Sequence, residues 1–107
     1  MTKVYYNTNE MYIRVRGHAG AAPAGEDLIC AGISALTQAL LNQLREEEEE
    51  KHIQLDWVMF PGIIEIKAKP KTEHYRRAVR DYFKVIIMGL KAIQEQKPGY
   101  IELKEVR

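Results

Sequence analysis

Residues 53–69 read IQLDWVMFPGIIEIKAK, and this stretch carries the clearest structural signal in the chain. Apolar and polar side chains alternate on both sides of Pro61-Gly62, which is typical of two half-buried strands joined by a turn. Proline suits the second position of a type II turn, and glycine suits the third, where φ is positive. The stretch therefore predicts a β-hairpin with one face toward a core.

Amphipathic helices are predicted on either side of this hairpin. The first begins near Asp27, and the second follows Thr72, a plausible N-cap. Their apolar positions recur at helical spacing, and they are Ile29, Ile33, Leu36, Leu40 and Leu44 in the first helix and Tyr75, Val79, Tyr82, Ile86, Leu90 and Ile93 in the second. The acidic run over residues 46–50 predicts a solvated helix end or loop.

Short strands are predicted at both ends of the chain, over residues 4–6, 11–16 and 100–103. The resulting order is ββαββαβ. We expect an α+β fold: a two-layer domain with two amphipathic helices packed on one face of a mostly antiparallel sheet. With 107 residues and no visible linker or repeat, residues 1–107 are expected to form one domain.

Composition narrows the functional classes. The formal net charge is +1, and neither a long apolar stretch nor a signal-peptide pattern is visible, so we expect no membrane partner. A single cysteine cannot form an internal disulfide. The single cysteine and the lack of a visible signal-peptide pattern both fit a cytoplasmic protein. The modest basic edge over residues 67–80 is interpreted as a solvated face, with an anionic-partner surface as the alternative. Direct nucleic-acid binding is not expected.

Residues 17–34, GHAGAAPAGEDLICAGIS, hold the residues most suited to chemistry. A loop rich in glycine and alanine separates His18 from Cys30. If Asp27 is the N-cap, Cys30 lies in the first helical turn, where the helix dipole favours the reactive thiolate. His18, at the end of a strand, titrates near neutral pH and is a candidate base for the thiol proton.

Each of these residues also has a structural interpretation. A lone cysteine on a helix is most often a small buried apolar residue. Asp27 is most simply explained as a helix cap, and the Ser34 hydroxyl commonly bonds its own helix backbone. A zinc site with His52 and His74 lacks any close ligand pair, so no metal or other cofactor is expected. Residue types alone leave the catalytic and structural interpretations both open.

The same stretch resembles the signature of the ribosomal-processing cysteine protease (Prp) family. That signature is Gly-His-Ala, a short glycine-containing loop, then Gly-x-Asp, two apolar residues and Cys, with a serine four residues later. The resemblance implies a homodimeric peptidase with the catalytic dyad Cys30 and His18. Asp27 and Ser34 would support the dyad, and the loop would form a substrate flap that includes Gly17, Ala19, Gly20 and Gly25.

The resemblance also implies a substrate. Members remove an N-terminal extension from large-subunit ribosomal protein twenty-seven, and phage-encoded relatives are thought to act on phage structural proteins. Here the loop is alanine-rich over residues 21–24, which makes a phage or prophage paralogue an open alternative. The competing hypothesis is a non-catalytic homodimeric binding module associated with the ribosome or a phage capsid. Fast thiol alkylation at neutral pH would favour the enzyme.

Overall fold

A computed structural model describes residues 1–17 and 25–107, and the side chains of residues 1–17 and 28–107. Five strands and two helices follow one another in the predicted ββαββαβ order. They are β1 (Thr2–Asn7), β2 (Tyr12–Arg16), α1 (Gly25–Glu49), β3 (Ile53–Phe60), β4 (Ile63–Pro70), α2 (Glu73–Gln96) and β5 (Ile101–Glu105).

The strands form one sheet in the order β3-β4-β2-β1-β5. Three neighbouring pairs are antiparallel, and only β1 and β5 are parallel. The exception follows from connectivity, since α2 carries the chain from β4 across the sheet to its far edge, and parallel pairing requires such a crossover. The predicted α+β class and the mostly antiparallel sheet are both confirmed.

The hairpin of β3 and β4 turns where the sequence predicts. Phe60 pairs with Ile63, and Gly62 has φ of 82°, the conformation that the third position of a type II turn requires. Ile53 and Leu55 are buried beneath the helices. Further along, the side chains of residues 57–60 are all exposed, including Trp57. The outer half of this edge strand is therefore an apolar surface that the helices do not cover.

Both helices bury their predicted apolar stripes, and each also buries residues outside its predicted stripe. Every predicted apolar position of α1 is buried or half-buried, and Leu41 and Thr37 are buried as well. In α2, Phe83 and Ile87 are buried although the predicted stripe omits them. The stripe is wider because α2 packs on the sheet and also beside α1, where a Cβ on Gly89 would come within 3.0 Å of Leu36.

Local signals at the element ends are largely confirmed. The Thr72 side chain caps α2 by accepting a hydrogen bond from the Tyr75 backbone N–H. The acidic run forms the solvated end of α1, which stops at Glu49. Met11, predicted to begin the second strand, instead lies in the preceding turn with φ of 52°, yet its side chain remains buried. Among the described residues, neither helix has the length and apolarity needed to span a bilayer.

Candidate active site

Cys30 lies in the second turn of α1. The helix begins at Gly25, so Cys30 is its sixth residue, and the prediction that Asp27 is the N-cap is wrong by at least two positions. Acidic residues are favoured both at the cap and within the first turn, so the sequence pattern does not distinguish the two. The backbone N–H of Cys30 therefore falls within the intrahelical ladder, and the described N–H groups without an intrahelical partner at the helix start are those of residues 25–27.

The Cys30 side chain is half-buried and packs against the hydrophobic core. It also borders a groove of about 240 Å³ between the first half of α1 and the rim of the sheet. Among the described residues the groove is lined by Thr2, Val15, Gly17, Cys30, Ile33, Ser34, Thr37, Gln38, Met59, Phe60, Gly62, Ile63 and Ile64. The chain's single thiol is thus neither sealed in the core nor isolated on the surface.

The wall that α1 contributes follows from helical spacing. Ser34 is exposed one turn after Cys30, the position that helical spacing predicts, and it borders the same groove. Thr37, one turn further, was not predicted, although the same spacing identifies it. Its buried hydroxyl donates to the carbonyl oxygens of Ile33 and Ser34 at 3.0 and 3.2 Å. The Thr37 hydroxyl therefore lies along the groove with its hydrogen bonds already made to its own helix.

The opposite wall comes from the hairpin turn. Met59 and Phe60 are 50% and 64% exposed, and both border the groove. Sequence analysis placed these residues in a strand but did not connect them with Cys30. The only sequence signal was an unusual run of apolar residues on both faces of one strand, and such a run needs a structural partner or a ligand. This wall can contact apolar side chains of a bound chain.

Gly17 fixes the chain where it leaves β2. Its N–H donates to the Gly62 carbonyl oxygen at 2.7 Å, which ties it to the hairpin turn. Its φ is +94°, and a Cβ at this position would lie 2.9 Å from the carbonyl oxygen of Met1. Only glycine fits both conditions without strain. The residue that precedes His18 in sequence is thus held at the groove.

Several predicted site residues lie outside the described part of the chain. They are His18, Ala19 and Gly20, and the side chain of Asp27 is also outside it. The dyad geometry therefore stays a prediction. Gly25, predicted to belong to the flexible loop, is the first residue of α1 instead, so the loop is two residues shorter than expected.

The other two histidines lie at the opposite end of α1. His52 Nδ1 is 3.2 Å from a Glu47 carboxylate oxygen, and its ring stacks on Tyr75 with 3.9 Å between ring centroids. His74 contacts the same tyrosine edge-on, with 5.0 Å between centroids. Neither histidine borders the groove. Within the described residues, no three His, Cys, Asp or Glu side chains are grouped so as to hold a metal ion.

Comparison with protein families places this arrangement among peptidases. The family model described as "Cysteine protease Prp" matches residues 1–102. The comparison with curated proteins finds no match.

Solved structures with the same fold include two of an essential ribosomal processing protease Prp from S. aureus. One, in complex with a covalently linked product peptide, has a TM-score of 0.73 and 18% identity, covering 98% of this chain and 97% of that chain. The other, with a substrate peptide, has a TM-score of 0.72 and 17% identity at the same coverage. SMU.848 from Streptococcus mutans is 23% identical with a TM-score of 0.72, covering 98% of this chain and 91% of that one.

Proposed function

The chain belongs to the cysteine protease Prp family, and from that premise we propose that it is a site-specific endopeptidase acting through Cys30 and His18. The observation that carries the proposal is the position of the only thiol. Cys30 is half-buried at the edge of the core and borders a groove open to a ligand. A buried structural cysteine would not need such a groove, whereas a nucleophile must reach its substrate.

The position of the other histidines favours His18 as the base. The chain has three histidines, and two of them lie around Tyr75 near the end of α1. The last residue of the helix, Glu49, lies 19 residues after Cys30, or roughly 28 Å along α1 at 1.5 Å per residue. Proton transfer needs hydrogen-bond contact with the thiol, so His52 and His74 are too far away. Gly17, fixed beside the groove, directly precedes His18.

The proposed reaction uses these two side chains in sequence. His18 accepts the thiol proton as the Cys30 sulfur forms a bond to the scissile carbonyl carbon. The tetrahedral intermediate collapses when His18 returns the proton to the amine of the departing peptide, leaving a thioester on Cys30. His18 then takes a proton from water as the water oxygen bonds to the thioester carbon. The C–S bond breaks, the N-terminal fragment leaves as a carboxylic acid, and His18 returns the proton to the sulfur. Asp27 would orient His18, and Ser34 would lie against the bound chain beside Cys30.

Backbone N–H groups at the start of α1 are suited to hold the developing oxyanion. An α-helix leaves the N–H groups of its first turn without intrahelical partners, and in the described part of α1 these are the groups of residues 25–27. Donors of this kind stabilise the negative charge that forms in the transition state. Residues 19–24 would close over the bound peptide and exclude water, as the flap predicted from the sequence.

The substrate that we propose is the N-terminal extension of large-subunit ribosomal protein twenty-seven, or alternatively a phage structural protein. The groove suits an extended peptide with apolar side chains near the cut, because Met59 and Phe60 form one wall. Two S. aureus relatives are described as ribosomal processing proteases bound to peptides. We further propose that the chain acts in the cytoplasm as a homodimer. Exposed apolar side chains such as Trp57, Val85 and Met88 leave surface for a second copy to cover.

The test is cleavage of two synthetic peptides, one carrying the ribosomal-protein extension and one a phage structural-protein N-terminus. We expect one of them to be cut at a single bond by the wild type and neither to be cut by Cys30→Ser. If wild-type protein cuts neither peptide and its thiol alkylates no faster than the thiol of the unfolded chain, the endopeptidase proposal is wrong. Light scattering at micromolar concentration checks the dimer, and a mass near 12.4 kDa would rule it out.

A further inference from the structure

The face of the sheet opposite the helices brings together residues that are distant in sequence. Side chains alternate between the two faces of a strand, so the register defines this open face. One row across it runs Val58, Glu65, Arg14, Tyr5 and Lys104, each directly opposite the next. The adjoining rows run Asp56, Lys67, Tyr12 and Asn7 on one side, and Phe60, Ile63, Arg16, Lys3 and Glu102 on the other.

Two tyrosines lie at the centre of this face with an arginine between them. Tyr5 is directly opposite Arg14, and Tyr12 is two residues from Arg14 on the same strand. The Tyr12 hydroxyl donates to a Glu65 carboxylate oxygen at 2.8 Å across β4. Burial raises the pKa of Tyr12, and the hydrogen bond to Glu65 raises that pKa further. Both tyrosine side chains are half-buried.

Arg14 has bonding capacity that its neighbours do not use. Its Nε is buried and has no hydrogen-bond partner among the described residues, lying 4.0 Å from the Glu65 carboxylate. Since an arginine guanidinium carries five donors in a planar fork, it can stack on a ring and bind an anion at the same time. Arg14 therefore joins the two tyrosines into one surface.

The open face is positively charged although the whole chain is nearly neutral. Six basic residues lie on it, against three acidic ones, which gives a net charge of about +3 compared with +1 for the chain. The basic residues are Lys3, Arg14, Arg16, Lys67, Lys69 and Lys104, and the acidic residues are Asp56, Glu65 and Glu102. The aromatic and basic residues that do not interleave along the sequence do interleave across the strands.

We propose that this face binds single-stranded RNA. Bases would stack on Tyr5 and Tyr12, and phosphates would pair with basic side chains such as Arg14, Arg16 and Lys3. Beside Tyr12, Asn7 and Lys67 border a shallow depression, but their polar groups bond within the chain, to the carbonyl oxygens of Val106 and Glu10 respectively. Stacking and phosphate pairing therefore carry the proposed binding. The choice of RNA over DNA rests on the proposed function, because a ribosomal substrate is presented among RNA. This proposal replaces the expectation of no nucleic-acid contact.

An acidic peptide is the main competing ligand for a basic surface. Such a peptide would pair with the lysines and arginines but would have no use for the half-buried tyrosine rings. Stacking on flat rings between cationic side chains is instead the mode by which proteins hold unpaired bases. The aromatic contribution therefore distinguishes the two ligands, and the experiment is built on it.

The test is fluorescence anisotropy with a fluorescein-labelled single-stranded RNA of twelve nucleotides. The first variant is Lys3→Glu/Lys104→Glu, and its matched control is Arg77→Glu/Lys84→Glu, which makes the same charge change on exposed positions of α2. We expect the first to weaken binding at least tenfold and to reduce the salt dependence, by about 0.7 in the logarithmic slope per lost phosphate contact. The control should stay within about threefold of wild type.

A second pair of variants tests stacking. Tyr5→Phe keeps the ring and should bind as wild type does, whereas Tyr5→Ala should bind about tenfold more weakly. Circular dichroism checks that both variants fold. The Cys30→Ala protein should retain its RNA affinity, so RNA binding and peptide cleavage can fail independently.

Four results would overturn the inference. The first is no RNA binding at low salt, and the second is an equal loss of RNA affinity in the two charge-reversal variants. The third is equal RNA binding by Tyr5→Ala and Tyr5→Phe together with polyglutamate binding as tight as RNA binding. The fourth is tighter binding of DNA than of RNA of the same sequence. The third result would reassign the face to an acidic peptide.

Discussion

The two ends of helix α1 differ in what their ionisable groups contact. At the far end, the His52 imidazole contacts both the Glu47 carboxylate and the Tyr75 ring. At the near end, Cys30 borders a groove whose opposite wall is the exposed turn of the hairpin. The far end is richer in titratable groups, yet its contacts are internal. Within residues 1–17 and 28–107, whose side chains the structure describes, the near end has fewer such groups and an open space in front of its thiol.

The contrast shows which features of a site are informative. A histidine in contact with a glutamate is often taken as a sign of catalysis. Here the pair is His52 and Glu47, and it stabilises the connection between α1 and β3. A nucleophile needs space for a substrate as well as a partner. On this basis the groove at Cys30, and not the charged end of the helix, is the place to expect chemistry. Substitutions at the two ends test this difference.

The largest effect is expected at Cys30. Cys30→Ala and Cys30→Ser should abolish peptide cleavage and leave the fold intact, because the side chain is only half-buried and the substitutions are small. Cleavage followed by mass spectrometry, with circular dichroism as the fold control, measures both. Undiminished cleavage by Cys30→Ala would remove the mechanism proposed above.

His18→Ala should lower cleavage by about 10²-fold or more, since both proton transfers would lose their carrier. The matched controls are His52→Gln and His74→Gln, which change the histidines at the far end. We expect both controls to cleave within about threefold of wild type, with at most a small loss of thermal stability. If His52→Gln loses as much activity as His18→Ala, the distinction between the two ends is wrong.

Gly17→Ala should affect the near end through the backbone. The substitution forces a side chain into positive φ and against the Met1 carbonyl oxygen, which should cost about 2 kcal/mol of stability. We also expect roughly a tenfold loss of cleavage, because the chain preceding His18 would shift.

Gly99→Ala is the matched control for Gly17→Ala, since a Cβ there meets nothing within 4 Å. Thermal melts and kcat/KM for both variants, measured side by side, separate general from local damage. Equal activity in Gly17→Ala and Gly99→Ala would show that this anchor does not position the base.

The smallest effect is expected from Glu47→Gln at the far end. The substitution weakens the contact with His52, so the free energy of unfolding should fall by about 1 kcal/mol. Urea denaturation measures this change, and kcat/KM should stay unchanged. A loss of cleavage without a loss of stability would connect this end of α1 with the reaction.

Local signals in the sequence were enough for the elements, but not for the surfaces between them. The turn at Gly62 and the cap at Thr72 depend on a few neighbouring residues, and both were predicted. The groove wall of Met59 and Phe60 depends on which turn meets which end of α1, which is a long-range contact. In the same way, Tyr5 and Arg14 become neighbours only through the strand register.

The placement of Cys30 illustrates the limit of local reasoning within one helix. The sequence identified the thiol, its helix and the neighbouring Ser34, because these follow from spacing. The predicted helix start near Asp27 was wrong, because Gly25 and Asp27 are both acceptable near a helix N-terminus. The packing of the surrounding residues determines which one begins the helix. The buried Phe83 was missed for a related reason, because the packing of α2 beside α1 widens the buried stripe.

The central claim is that Cys30 in the groove is activated by His18, and the most direct measurement is labelling by a peptide chloromethyl ketone. The chain has one cysteine, so the intact mass reports its modification without ambiguity. The reagent should bear the apolar side chains that precede the cut in the cleaved peptide. We predict saturable labelling of the wild type, protection by that peptide, unchanged rates in His52→Gln and His74→Gln, and a rate at least tenfold lower in His18→Ala. Labelling that does not saturate and proceeds at the same rate in His18→Ala would contradict the account.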